Sequence, residues 1–291
     1  LVIMETENER HRDLFAAFED TLKASDKGGP TLLIRVSDVS EATEKDRVSG
    51  LADRPALVVT VGTRAAERGF QRNDQAPVLS VLLPDIAFQQ LQPLLASKDR
   101  RRVAAIVLDQ PVARQLAIAA TLLPDARRAG ALFSSDAFSA IDTFRAEARR
   151  FGLDVDPEQV GRDNEAADHI EALIRRSDVV LALYDHRLFR PVTAKWMLYI
   201  AFQERRPIIG FSYALLKAGA LAAVYSTPEQ IGVHAAEAAR TWLAGESPPA
   251  TQSPAYYNIG INGPVADALG VDLPDEDECG ARVRQRLRRE Q

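Results

Sequence analysis

Along the chain, a short apolar run is followed repeatedly by a longer segment whose apolar residues recur at three- and four-residue spacing. The first run, 1–4, precedes residues 10–24, where Leu14, Phe15, Phe18 and Leu22 fall on one helical face. The same pairing of strand and helix is predicted for 31–36 with 41–52, 56–61 with 63–72, 77–83 with 86–95, and 104–108 with 111–123. The pattern then restarts: 128–133 with 137–151, 153–155 with 165–176, 179–183 with 190–203, 207–211 with 213–218, 220–225 with 228–244, and 257–261 with 264–269. Runs of Val, Ile and Leu without alternation mark strands covered on both faces, as in a parallel sheet. Alternating βα units with right-handed crossovers predict a doubly wound α/β fold.

Ten or so units are too many for one open sheet, so the pattern predicts two, divided near residues 109–111. Length agrees, since 291 residues at about 150 per domain suggest two domains. Helix punctuation supports the elements. Thr63 after Gly62 can cap a helix at 64–72, and Thr227-Pro228 sets a cap residue before a first-turn proline. Gly152, Gly219 and Gly245 stand where helices should stop. Residues 245–254 contain three prolines and no apolar run, and read as an extended connection. The stretch from Gly280 holds five arginines in 12 residues behind an acidic stretch, and reads as a frayed, solvated basic tail.

Composition narrows the function class. Apolar residues make up 46% and charged residues 26%, as in an ordinary globular protein. No stretch approaches the roughly 18 uninterrupted apolar residues of a membrane span. A net charge of −5 argues against general nucleic-acid binding. One cysteine, Cys279, excludes an internal disulfide, which fits a reducing cytosol and equally a large periplasmic protein that needs no staples. His11, His169, His186 and His234 are scattered, with no spacing suited to a structural metal, and no metal or cofactor is expected. The chain starts at Leu1 inside a predicted strand, which is compatible with a secretory segment removed upstream. Neither G-x-G-x-x-G after a strand, nor a P-loop, nor a G-x-S-x-G elbow, nor H-E-x-x-H or C-x-x-C occurs, so nothing nominates a nucleophile with its base.

Candidate binding residues lie at the predicted strand ends. In open α/β sheets, ligands bind outside the carboxyl ends of the strands, where helix N-termini present free N–H groups and partial positive charge. Those ends carry Thr6 and Asn8, then Gly62-Thr63-Arg64, then Leu83-Pro84-Asp85. In the second half they carry Ser134-Ser135-Asp136, Tyr184-Asp185-His186 and Ser212-Tyr213. Two facing sheets would gather these loops into one interdomain cleft suited to a small molecule. Each residue also has a plainer reading. Thr63 and Ser134 serve equally as helix caps, Asp185 as a cap or a partner of Arg187 or Arg190, and Tyr184 and Tyr213 as packing. Thr6 and Asn8 serve equally as turn residues, and Arg64 as a solvated charge.

The later sequence resembles a bacterial ABC transporter substrate-binding family, and within it the tryptophan and aromatic amino-acid binding group. The resemblance rests on Leu108-Asp109-Gln110-Pro111, Leu122-Leu123-Pro124 with the run 128–132, and Pro207-Ile208-Ile209-Gly210-Phe211-Ser212. It also rests on Lys217-Ala218-Gly219-Ala220, Ser226-Thr227-Pro228-Glu229-Gln230-Ile231-Gly232, and Asn262 with Val265-Ala266 and Leu269-Gly270-Val271. It spans residues 56–274 and is clearest from Val179 onward. It implies a type I periplasmic binding protein: two Rossmann-like lobes joined by a three-crossing hinge, closing on a ligand. The first lobe would take 1–109 and 227–254, the second 110–226 and 255–279, with 280–291 as the disordered basic tail. Hinge crossings would fall near 109–110, near Ser226 and near 254–256. Relatives hold a ligand carboxylate at the position of Gly62-Thr63 and an amino group at that of Asp185. Where they tend to show Pro-x-Asp-Asn or Pro-Asp, this chain has Leu183-Tyr184-Asp185-His186.

The expectation is therefore a non-enzymatic solute-binding component of an ABC-type transport system, periplasmic, free or membrane-anchored, served by inner-membrane transporter subunits. Its ligand-binding set is Thr6, Asn8, Thr63, Arg64, Ser134, Ser135, Tyr184, Asp185, Ser212 and Tyr213. The same fold carries sugars, amides, nucleosides and hydrophobic lipids, so a carrier of a larger lipid-like ligand, the ligand-sensing domain of a regulator, and a doubly wound enzyme stay open as alternatives.

Overall fold

The computed structural model describes residues 1–4, 8–24, 33–35, 55–71, 76–95, 100–134, 138–161, 166–185, 188–273 and 276–289. The predicted helix over 41–52 lies outside them. The chain divides into two units, Leu1–Asp109 with Ser226–Tyr257, and Gln110–Tyr225 with Asn258–Gln291. Ser226 and residues 255–257 thus go with the first unit, where the sequence assigned them to the second.

The first unit is built on β1 (Val2–Met4), β2 (Leu33–Arg35), β3 (Val58–Val61), β4 (Val78–Leu83), β5 (Val103–Val107) and β11 (Thr251–Gln252). They form one sheet in the order β11-β5-β4-β3-β1-β2, every described pair parallel. Alternate residues serve opposite layers, because successive side chains on a strand point to opposite faces. Val2, Met4, Val59, Val61, Leu79, Val81, Ala104 and Ile106 join Leu14 and Phe18 of α1 (Glu9–Lys23) and Ile231, Ala235 and Ala239 of α9 (Pro228–Leu243). Their neighbours Ile3, Val58, Val78, Val103, Ala105 and Val107 join Ala65, Ala66 and Phe70 of α2 (Thr63–Phe70) and Phe88 of α3 (Asp85–Leu91). On this second face the buried Thr60 hydroxyl donates to the Ser80 hydroxyl at 2.8 Å, so two polar side chains inside the core satisfy each other.

The second unit repeats the plan with β6 (Arg128–Ser134), β7 (Asp154–Val160), β8 (Val179–Leu181), β9 (Ile208–Gly210), β10 (Ala222–Tyr225) and β12 (Asn258–Ile261). The order is β12-β10-β9-β8-β6-β7, parallel except for β12 against β10. One layer holds α6 (Ala166–Arg176), α7 (Pro191–Gln203) and α8 (Tyr213–Ala218), which bury Ile170, Leu173, Met197, Leu198 and Leu215 against Leu132, Val180 and Ile208. On the other, α4 (Val112–Leu122) and α5 (Phe138–Arg150) pack together, and Phe133 of β6 meets Phe144 of α5. The helix α10 (Gly263–Leu269) follows β12 and is capped by Asn262.

Two expectations need correction here. The supposed frayed tail is a helix, α11 (Glu276–Arg289), seated on α4. Cys279 and Val283 stand one helical turn apart, and both are fully buried, so the arginines occupy only the outer face. β7 also runs on to Val160, past the three residues the sequence allotted to it, although its surface is only half covered. Its Asp156 and Glu158 pair with Arg176 of α6, and Glu158 also meets His169. Burial alone would raise the Glu158 carboxyl, but hydrogen bonds from Arg176 and His169 outweigh it and hold the group below its ordinary range. Two punctuation marks are as read: Thr227, with Gln230, closes a reciprocal capping box on α9, and Gly219 is the C-cap of α8.

The helices α1 and α9 approach so closely that a Cβ on Gly232 would lie 2.3 Å from the Leu14 carbonyl oxygen. Gly232→Ala is expected to force them apart and lose about 1–3 kcal/mol, the scale of core overpacking. The check is a urea melt, whose midpoint should fall with its slope unchanged.

Candidate functional site

In each sheet, strand order reverses at one pair, β1 and β3 in the first unit and β6 and β8 in the second. Chains leaving the carboxyl ends of such a pair turn to opposite faces, which opens a crevice in the polypeptide there.

In the first unit, Asn8 follows β1 and is engaged as the N-cap of α1, its Oδ1 accepting from the His11 N–H at 3.0 Å. After β3 the chain turns at Gly62, whose φ of 96° and ψ of 163° lie where glycine alone is at ease. Gly62 is itself the N-cap of α2, and Thr63 is the first helical residue, not the cap the sequence suggested. With no side-chain cap, the first turn of α2 keeps its positive end at the strand terminus. Thr63 is half-buried there and Arg64 exposed.

β4 leaves its register between Val81 and Leu83, with Leu82 at a φ of 54°, just ahead of a pair of acids. The Asp85 N–H donates to Asp109 Oδ2 at 2.7 Å, and Gln89 Nε2 donates to Asp85 Oδ2 at 2.7 Å. Oδ1 of Asp85 is buried without a hydrogen-bond partner among the described residues. Burial pushes the Asp109 carboxyl up, the neighbouring Asp85 charge adds to this, and burial raises Asp85 as well.

In the second unit, Ser134 ends β6 in a buried position, and its N–H donates to Asp185 Oδ2 at 3.2 Å. The other oxygen of Asp185 accepts from the Leu188 N–H at 3.3 Å. One carboxylate therefore ties the loop after β8 to the end of β6, across the reversal of strand order. Beneath it, the buried Gln115 of α4 donates through Nε2 to the carbonyls of Ala182 at 2.7 Å and Ile209 at 3.0 Å, at the ends of β8 and β9. Along the same edge Tyr184 meets Phe211 edge-on with ring centres 5.5 Å apart, and Phe211 meets Phe189 at 5.4 Å. Tyr213 stacks obliquely on Tyr225 at 5.2 Å. The Ser212 hydroxyl is engaged as the cap of α8, accepting from the Leu215 N–H at 3.3 Å.

The expected residues thus sort by unit. Asn8, Thr63 and Arg64 share the carboxyl edge of the first sheet, and Ser134, Tyr184, Asp185, Ser212 and Tyr213 share that of the second. Asn8 and Ser212 act as caps, while Thr6 and Ser135 lie outside the described residues. The sequence reading missed Gln115, Phe211, Tyr225 and Asp109. For Gln115 a signal existed, because it immediately precedes the wholly apolar run 116–120 of α4. Among the described residues, no group of three or more His, Cys, Asp or Glu side chains is placed to hold a metal ion. None of their helices is long and apolar enough to cross a membrane.

The model of a family described as ABC transporter substrate binding protein matches residues 38–278. The structure is similar to the ligand-free, open structure of a substrate binding protein with adhesive properties from Clostridium difficile, at 18% identity and a TM-score of 0.71, covering 95% of this chain and 96% of that one. It is also similar to an ABC domain in complex with L-Trp from Streptococcus pneumoniae, at 20% identity and a TM-score of 0.59, covering 94% of this chain and 95% of that one. A conserved domain protein from Vibrio cholerae O1 biovar eltor gives 20% identity and a TM-score of 0.61, covering 97% of this chain and 96% of that one. Identities this low speak for the fold alone, the two-lobe α/β periplasmic binding protein fold with two mainly parallel sheets. No curated protein matches the chain.

Two outcomes are expected. Gln115→Ala should leave a buried strand-end carbonyl unpaired and lose about 1–3 kcal/mol in chemical denaturation. Asp109→Asn keeps the acceptor for the Asp85 N–H without the buried charge. An acid raised in the folded state stabilises below its unfolded value and loses that contribution as pH climbs through the folded one. The variant should therefore melt higher than wild type at neutral pH, and the gap should close as pH falls and wild-type Asp109 takes up its proton.

Proposed function

We propose, for a chain that belongs to the ABC transporter substrate binding protein family, that it is the periplasmic solute receptor of its transport system. In this reading it takes one small molecule at the carboxyl ends of its two sheets, by hinged closure of its units. It then yields that molecule to the membrane subunits without covalent chemistry. Closure would exclude water and strengthen each polar contact with the ligand.

The observation that carries the proposal is the placement of Gly62-Thr63 and of Ser134 with Asp185 at the two reversals of strand order. The uncapped first turn of α2, with Thr63 and Arg64, suits an anionic or hydroxyl group. Asp185 accepts from two backbone N–H groups, and its carboxylate, fixed in this way, is a suitable acceptor for a ligand N–H. Tyr184 and Tyr213, in their ring pairs, offer a flat apolar wall. Asn8 and Ser212 shape the loops as caps, and Thr6 and Ser135 complete the set. An anionic head, a cationic donor and a planar apolar body describe an aromatic amino acid, the class of ligand held by the Streptococcus neighbour. No observation favours a lipid-like ligand or a regulatory role.

The test is a thermal-shift and calorimetric panel of amino acids, sugars and fatty acids on the purified chain. L-tryptophan or a close analogue is expected to raise the melting temperature by mass action. Asp185→Asn keeps an acceptor for the Ser134 N–H and should weaken binding by about 10- to 100-fold, the scale of one charged hydrogen bond. Failure of every aromatic amino acid to bind, or unchanged affinity in Asp185→Asn, sinks the assignment.

A further inference from the structure

The helix α7 is apolar on two opposite sides. Its inner side buries Met197, Leu198 and Ala201 in the core of the second unit. Its outer side carries Val192, Trp196, Tyr199 and Phe202, which are 79%, 41%, 55% and 59% exposed. A helix apolar all round belongs inside a protein, and this one is covered on one side only. The spacing of three and four residues makes these side chains neighbours, and the Trp196 and Tyr199 rings lie 5.9 Å apart at 31°. Together they expose roughly 450 Å² of apolar surface, taking about 150–250 Å² for each aromatic side chain. That is a patch of the size which on a monomer commonly marks an interaction site.

We propose that this face pairs with the same face of a second copy of the chain, the two α7 helices crossing antiparallel about a two-fold axis between residues 197 and 198. A two-fold contact is self-complementary: if residue i meets residue j, then j meets i. The stripe has that symmetry in its chemistry, with the Trp196–Tyr199 pair at its centre and Val192 and Phe202 toward its ends. Antiparallel pairing sets Trp196 against the other copy's Tyr199, and Tyr199 against the other copy's Trp196. Charge agrees. The only charged residue within α7 is Lys195, and this pairing carries its ammonium toward the C-terminal turn of the opposing helix, the negative end of that dipole. Pro191, Lys195 and Gln203, which are also exposed, extend the face along α7, and its size per partner suits the small, transient class of interface that buries under about 1,200 Å² in total. A membrane surface is the poorer occupant, because helices that lie on anionic lipid carry several cations, and this chain has a net charge of −5.

The experiment is sedimentation velocity on the full chain from about 1 to about 100 μM, a range that brackets a micromolar dimer. Wild type is expected to pass from monomer to dimer across it, with Trp emission shifting to shorter wavelength as Trp196 is covered. Trp196→Glu and Tyr199→Glu should each stay monomeric throughout, with circular dichroism and melting temperature near wild type because both side chains point outward. A wild-type chain that remains monomeric to the top of the range overturns the proposal, as does a dimer that survives both substitutions. Flotation of monomeric wild type with neutral phosphatidylcholine vesicles also overturns it, in favour of lipid.

Discussion

Burying a parallel sheet on both faces is the constraint from which the rest follows. Strands β1, β3, β4 and β5 divide their side chains between two helical layers, as Leu132 and Phe133 of β6 do in the second sheet, so the middle of the sheet has no room for chemistry. Where a polar side chain does sit inside, as Thr60 and Ser80 do, it is matched within the core. Polar function is pushed to the strand ends, and parallel strands put all their carboxyl ends on one edge. The reversal of strand order then selects one pair of ends from six. In both units that selection falls on polar groups, the first turn of α2 at Gly62-Thr63 and the pairing of Ser134 with Asp185.

The two edges treat their acids differently. Asp185 is held by two backbone donors and knits two loops together. Asp109 receives one backbone donor, lies against Asp85, and has its proton affinity raised by burial. The first arrangement fixes a carboxylate between two loops by hydrogen bonds from the main chain. The second stores an unfavourable charge at the last residue of the first unit before the chain crosses to the other.

The fold was largely legible because its strands are continuous Val, Ile and Leu runs, a signal that needs no partner to interpret. Thr227-Pro228 and Gly219 were legible for the same reason, since capping is decided within a few residues. What escaped depended on contacts distant in sequence. The arginine density beyond Gly280 hid the Cys279 and Val283 pair that anchors α11 to α4. The polar second half of β7 reads as loop until Arg176 is brought across to it. Gln115 acts on carbonyls 67 and 94 residues away. At the candidate site the sequence placed its residues at strand ends, where the described ones do lie, but it could not see that Gly62 takes the capping position itself or that Asn8 and Ser212 are engaged as caps.

The interleaving of the units bears on how the chain is made. Half of one layer of the first unit comes from α9, whose Ile231, Ala235 and Ala239 join Leu14 and Phe18 of α1 in the cluster around Val59 and Val81. Those residues follow Asp109 only after the entire β6–β10 region has been synthesised. At about 5–20 residues per second, the ribosome presents the early segment with that layer covered by α1 alone for roughly six to twenty-six seconds. During that interval the part of the Val- and Leu-rich sheet face that α9 later covers stays open to the solvent.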